Sequence, residues 1–254
     1  MPILEHIEEL RKRAIKIFIS VGALTFLFFM FELRFLRIGS FLIPYPYPNV
    51  FQNMASQVIS ILRQQVLPSY VKIIVITPSD AFISEMWIAI FLGVLFGTPL
   101  IAYEFWAYVS PALYQNEKMV IIKLTLPAVT LFLIGCAFGY VFIVPFAFSF
   151  LYAYAANIGI ITYITISDFI MFIIMFCAAM GITFELPVVM WGVTKLGLIK
   201  PESYKKNLRY FIAFAVVYGA FITPDGSGIT MWLVAIPMIF LYGLGYIFAK
   251  KTVK

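Results

Sequence analysis

Ionisable side chains are scarce in this chain. Asp, Glu, Lys and Arg make up 12% of its 254 residues, where a soluble domain carries about a quarter. That shortage excludes an ordinary water-soluble surface. Histidine occurs once, as His6, so no HExxH metal helix can be assembled. Cysteine occurs twice. Cys136 and Cys177 both sit inside apolar runs and read as small core hydrophobes, not as a disulfide framework. No nucleotide-binding loop is present, so ATP bound by this chain is not its energy source. The alternating ten-residue segments of a membrane barrel are missing, and so is any internal repeat of the inverted-transporter kind. The first apolar run lacks a small-residue cleavage site and reads as a retained helix.

What is abundant is apolar: 63% of the residues are hydrophobic, in runs long enough to cross a bilayer. In lipid every backbone polar group must be satisfied within the segment, which leaves helices once a barrel is excluded. The expected fold is an all-α polytopic membrane protein, one membrane domain over 1–254, with six spans at 15–31, 81–103, 119–150, 168–193, 210–222 and 229–249. Residues 1–16 read as a separate amphipathic surface helix, with Ile3, Ile7, Leu10 and Ala14 at helical spacing. The segment 39–77 reads as non-spanning. In it Pro44, Pro46 and Pro48 give a stiff extended lead-in, followed by an amphipathic helix from Phe51 to Val66. Thr77-Pro-Ser-Asp80 is a helix start, and 152–167 is a neutral loop. The fifth span has 13 residues at 1.5 Å each, roughly 20 Å against a hydrocarbon core of about 30 Å.

The net charge of +6 is explained by position. With the N-terminus inside, the outer segments hold only Arg34, Arg37, Arg63 and Lys72 of the 18 basic residues, and the other 14 lie within. The positive-inside rule therefore predicts both termini cytoplasmic, with 104–118 and 195–209 as cytoplasmic loops. Topology accounts for the basic excess without nucleic acid.

Few residues remain for chemistry. Glu185 lies within the fourth span, in Phe184-Glu-Leu-Pro187. A carboxyl group in lipid costs at least ~2.5 kcal/mol, so it should face protein or water. Pro187 cannot donate to the carbonyl of Thr183, which kinks or opens that turn. Glu9 and Glu117 fall on the basic inner face. The bland reading of Glu9 is an i,i+4 pair with Arg13, and that of Glu117 a solvated helix end. As a pair they suit a ligand with two guanidinium groups, because carboxylates accept bidentate bonds from arginine. Trp106 and Tyr108 read as interfacial aromatics. Asp225 reads as an outer turn residue, and Gly135-Cys-Ala-Phe-Gly139 is a weak GxxxG match. Asp80, Asp168 and Asp225 all fall at outer span ends, so no intramembrane aspartyl pair forms. Ser227 lies across the membrane from His6, which excludes a Ser–His dyad. These absences argue against an enzyme and against any cofactor. The remaining rival is a proton-coupled secondary transporter of a small solute that uses Glu185.

Several stretches together resemble one family. His6-Ile-Glu-Glu-Leu-Arg-Lys-Arg13 resembles the HLxELRxR signature of TatC, the multispanning receptor of the twin-arginine translocase. Trp106-Ala-Tyr-Val-Ser-Pro-Ala-Leu-Tyr-Gln-Asn-Glu-Lys118 is similar to its first cytoplasmic loop. Phe184-Glu-Leu-Pro187, Ile222-Thr-Pro-Asp225 and Ala235-Ile-Pro-Met238 resemble its FExP, TPpD and IPm motifs. The matches run in order over nearly the whole chain. The resemblance implies recognition of twin-arginine signal peptides of folded precursors at the cytoplasmic face, with Glu9 and Glu117 at the recognition positions and Arg11 and Arg13 as the basic N-terminal residues. Tyr108 stands where the family usually has Phe, and Glu185 matches a polar position facing a concave pocket. Single-span partners of the TatA and TatB type, an oligomeric complex, a prokaryotic cell membrane and the protonmotive force are implied as well.

Overall fold

A computed structural model describes the backbone of residues 3–38, 41–68, 70–109, 115–223 and 228–252, and within these the side chains other than 3–5, 38, 41–42, 106, 109, 115–123 and 252. The chain forms two compact units. One comprises 1–100 and 148–174, the other 101–147 and 175–254.

In the first unit, α1 runs unbroken from Ile3 to Met30. The separate surface helix expected over 1–16 does not occur. Nothing between Arg13 and Ile17 can stop a helix, since the stretch holds no glycine, no proline and no cap. Strands β1 (Phe31–Ile38) and β2 (Phe41–Pro48) follow as an antiparallel hairpin. The proline-rich stretch is thus a strand and not a lone lead-in. Prolines at every second position place each missing N–H on the same edge, away from β1, where no ladder bond is lost. The opposite edge of the hairpin is covered, because Leu33 donates its N–H to Gln57 Oε1 at 3.3 Å.

Helix α2 (Met54–Val66) matches the expected amphipathic helix and buries Ala55, Leu62 and Val66. Its N-cap, Asn53, is fully buried and satisfied. Oδ1 accepts from Ser56 N at 2.8 Å, while Nδ2 donates to the Val50 carbonyl at 2.9 Å and to Glu85 Oε2 at 3.0 Å. A third strand, β3 (Val71–Ile74), pairs in parallel with β4 (Thr162–Thr165). The loop expected at 152–167 therefore holds a helix end and a strand. Helix α3 (Ser79–Val109) starts on Asp80, which accepts from Thr77 N at 2.9 Å and Thr77 Oγ1 at 2.6 Å. At the start of α6 (Ile166–Phe184) the Thr165 hydroxyl likewise donates to Asp168 Oδ2 at 2.6 Å, and there the Asp168 N–H donates back to Thr165 Oγ1 at 3.0 Å. Both aspartates thus sit in the first turn of a helix and tie down its start. Phe148 and Phe169 form the aromatic centre of this unit with Phe172, ring centroids 5.5 and 4.6 Å from Phe148.

In the second unit, α4 (Gln115–Phe138) passes through a π-helical turn at Gly139–Ile143 into α5 (Val144–Asn157). The widened turn sits just before Pro145, which has no N–H to return to the helix ladder. Gly135 and Gly139 lie against α6. A Cβ on Gly135 would meet the Met180 carbonyl oxygen at 2.6 Å and Gly181 Cα at 2.9 Å, and one on Gly139 would meet Cys177 Cα at 3.1 Å. The GxxxG match is therefore a real helix contact. Cys136 and Cys177 are buried and free, as expected. After α7 (Leu186–Lys195) comes α8 (Pro201–Lys206), a short helix inside the expected loop 195–209, then α9 (Leu208–Ile222) and α10 (Ile229–Thr252). Tyr204 of α8 donates to the Met190 carbonyl at 3.2 Å, and Tyr242 of α10 donates to the Tyr204 carbonyl at 2.9 Å.

Among the described residues five helical stretches are long and apolar enough to cross a membrane, and α9 adds a shorter sixth. The fold is all-α and polytopic, with four strands among the described residues. At 15 residues α9 extends two residues into its polar flank and still reaches only about 22 Å.

Candidate functional site

The sequence-predicted residues fall in three places. On α1, Glu9 and Arg13 are one helical turn apart and pair. Arg13 Nη2 lies 2.7 Å and Nε 3.0 Å from the same oxygen, Glu9 Oε1. Both side chains keep part of their surface in solvent, at 27% for Glu9 and 21% for Arg13. Beside them Lys12 pairs with Glu8 at 2.9 Å, and Arg11 is exposed. The first turns of α1 thus carry glutamates followed by a basic run to Lys16, on a helix that is free of charge from Ile17 to Met30. Glu9 is already holding a guanidinium group. A pair of this kind contributes only about 0.3–0.5 kcal/mol, so an arginine from outside can displace or share it at small cost.

The second place is the end of α3 and the start of α4. The stretch 104–118, expected as a loop, is helical through Val109 and again from Gln115. Tyr108 is half-buried. The side chains of Trp106 and Glu117 lie outside those described, although Glu117 falls in the first turn of α4. Asp225 also lies outside the described residues. Glu104 is 5% exposed and is a buried carboxylate that sequence reasoning missed. Ending the second span at Tyr103 put it in a loop. The available signal was its position directly after an apolar run, where an ionisable group marks function by default.

The third place is the fourth span, where α6 ends at Phe184 and α7 begins at Leu186, with Glu185 between them. The kink expected from Pro187 is a true break. Glu185 N closes a tight turn to the Ile182 carbonyl at 3.1 Å, and Pro187, buried, occupies the first turn of α7. Thr183 adds to the bend, because its hydroxyl donates back to the Ala179 carbonyl at 2.8 Å. Tyr218 of α9 donates to that same carbonyl at 3.2 Å. Glu185 is half-buried beside this bend. Thr183 and Tyr218 were not legible as partners in the sequence, since 39 residues separate Tyr218 from Ala179. Among the described residues no group of three His, Cys, Asp or Glu is placed to hold a metal ion. The arrangement offers carboxylates at a helix start and at a helix break, suited to binding cationic groups.

Comparison with known proteins gives a consistent answer. A family model described as Sec-independent protein translocase protein (TatC) matches residues 5–237. The Sec-independent protein translocase protein TatC of Cenarchaeum symbiosum (strain A) is 39% identical, covering 97% of this chain and 94% of that protein. Its counterpart in Aquifex aeolicus (strain VF5) is 34% identical, over 100% and 97%. The crystal structure of a twin-arginine translocase receptor, TatC, superposes with a TM-score of 0.79 at 30% identity, over 98% of this chain and 100% of that one.

Proposed function

We propose, for a chain that belongs to the TatC family and is a receptor subunit of the twin-arginine translocase, that Glu9 and Glu117 receive the paired arginines of the signal peptide. The observation that carries this reading is the Glu9–Arg13 pair, with two guanidinium N–H groups on one carboxylate oxygen. Arg11 and Arg13 tune the approach of the peptide, and Trp106 and Tyr108 supply aromatic contact to it. Each charge-assisted bond at a partly desolvated site contributes about 1.5–3 kcal/mol. The peptide's apolar segment then follows the bundle toward Glu185 and the bend at Pro187. Asp225 belongs to the outer turn.

The positive-inside distribution supports cytoplasmic termini in a prokaryotic cell membrane. Single-span TatA-type and TatB-type subunits join the receptor in an oligomeric complex, and the protonmotive force drives export of the folded precursor. A transporter of small solutes acting through Glu185 finds no support in the family.

Crosslinking from a photoreactive residue at position 117 to a twin-arginine peptide tests the recognition step. Capture is expected with arginines and should fall when both become lysine, which has no planar fork. Equal capture of the dilysine peptide would sink the bidentate mechanism.

A further inference from the structure

The second unit holds an apolar groove of about 300 Å³ between α4, α7 and α10. Leu124, Pro127 and Leu131 form one wall, Pro187 and Trp191 the other, and Phe248 closes it. Leu124 and Pro187 are buried at its floor, and Glu185 is not among the lining residues.

At one end of this groove the last turns of α7 and α10 are basic, and Glu202 in the first turn of α8 is the carboxylate nearest in sequence. Gly245 of α10 packs on Pro187 and Met190 of α7, and Ala249 shares a buried cluster with Met190 and Tyr204. The two helices therefore run side by side in the same direction. Their last turns bring Lys195, Lys250 and Lys251 out at one end. Lys195 Nζ sits 4.7 Å from the centre of the Trp191 ring, and Trp191 also lines the groove. An exposed cation thus lies against a ring that lines the apolar slot.

We infer that this groove binds one acyl chain of an anionic glycerophospholipid, with Lys195 on its phosphate. Charge complementarity selects this occupant. A signal peptide carrying two arginines would set them against three lysines, whereas an anionic lipid presents an alkyl chain to the slot and negative charge to its rim. A zwitterionic lipid satisfies the slot and gains little at the rim. Neither Glu9 nor Glu117 lines the groove, and the inference does not depend on them.

Native mass spectrometry of the full chain, delipidated in detergent and titrated with phosphatidylglycerol or phosphatidylcholine of matched chains, tests the assignment. The wild type should prefer phosphatidylglycerol about fivefold, the factor expected for one lysine beside an anionic headgroup. Lys195→Gln should bring the two lipids to near-equal binding, and Lys72→Gln, the same charge change in the other unit, should keep the preference. Leu131→Trp, which fills the slot, should lower retention of both lipids. Equal binding by the wild type, or an unchanged preference in Lys195→Gln, overturns the assignment. So does displacement of bound phosphatidylglycerol by a twin-arginine peptide, which would make the peptide the occupant. Full competition by glycerol phosphate alone would show that the groove plays no part and would overturn it equally.

Discussion

Replacing Gly135 by alanine adds one methyl group where two helices touch. The new Cβ would lie 2.6 Å from the Met180 carbonyl oxygen, 2.8 Å from Phe184 Cβ and 2.9 Å from Gly181 Cα. Two of these three atoms are backbone, so no side chain can rotate away and α6 must move. Overpacking of this kind costs about 1–3 kcal/mol. Alanine's better helix propensity offsets up to about 1 kcal/mol of that. The net loss should be about 1–2 kcal/mol. Gly243→Ala is the matched control, because a Cβ there meets nothing within 4 Å, and it should be neutral or slightly stabilising. Heating the purified proteins in detergent and following the monodisperse fraction should place the Gly135→Ala midpoint roughly 2–8 °C below that of Gly243→Ala. Phe184 directly precedes the Glu185 break, so export should fall with Gly135→Ala as well. A Gly135→Ala midpoint at or above that of Gly243→Ala would refute the close-contact reading of this helix pair.

Other predictions follow from single side chains. Asn53→Ala removes a buried cap and leaves the half-buried Glu85 without that donor, so stability should fall by about 1–3 kcal/mol, read as a lower melting midpoint. Glu117→Gln should weaken twin-arginine peptide binding about tenfold or more in a fluorescence titration while complex assembly is unchanged. Arg13→Gln frees Glu9 from its internal partner; if the pair competes with the peptide, binding should strengthen about twofold, and a loss would make Arg13 a direct contact. Four leucines inserted in α9 should lower export, because a short helix thins the bilayer around it; full export from a correctly inserted variant would remove that role.

Local patterns were legible where local chemistry decides the outcome. The Thr77–Asp80 cap, the amphipathic α2 and the break before Pro187 each depend on residues within one or two turns, and the sequence named all three. The hairpin of Phe31–Pro48 was not legible. Its prolines argue against a strand until a partner exists on one edge only. The separate helix over 1–16 was misread because a change from polar to apolar face was taken for a boundary, although no residue there ends a helix.

Composition and pattern were enough to establish that the chain lives in a membrane and where its long apolar helices run. Transfer free energy depends on composition over a window of about 20 residues, and that window is local. Folding in three dimensions was needed to bury Glu104, to set Asn53 on Glu85, to bring Tyr218 to the bend at Glu185 and to press two glycines of a weak motif against another helix. Each of these is a contact between segments far apart in the chain. Their energy comes from close packing and from satisfying polar groups away from water, and neither exists until the helices have met.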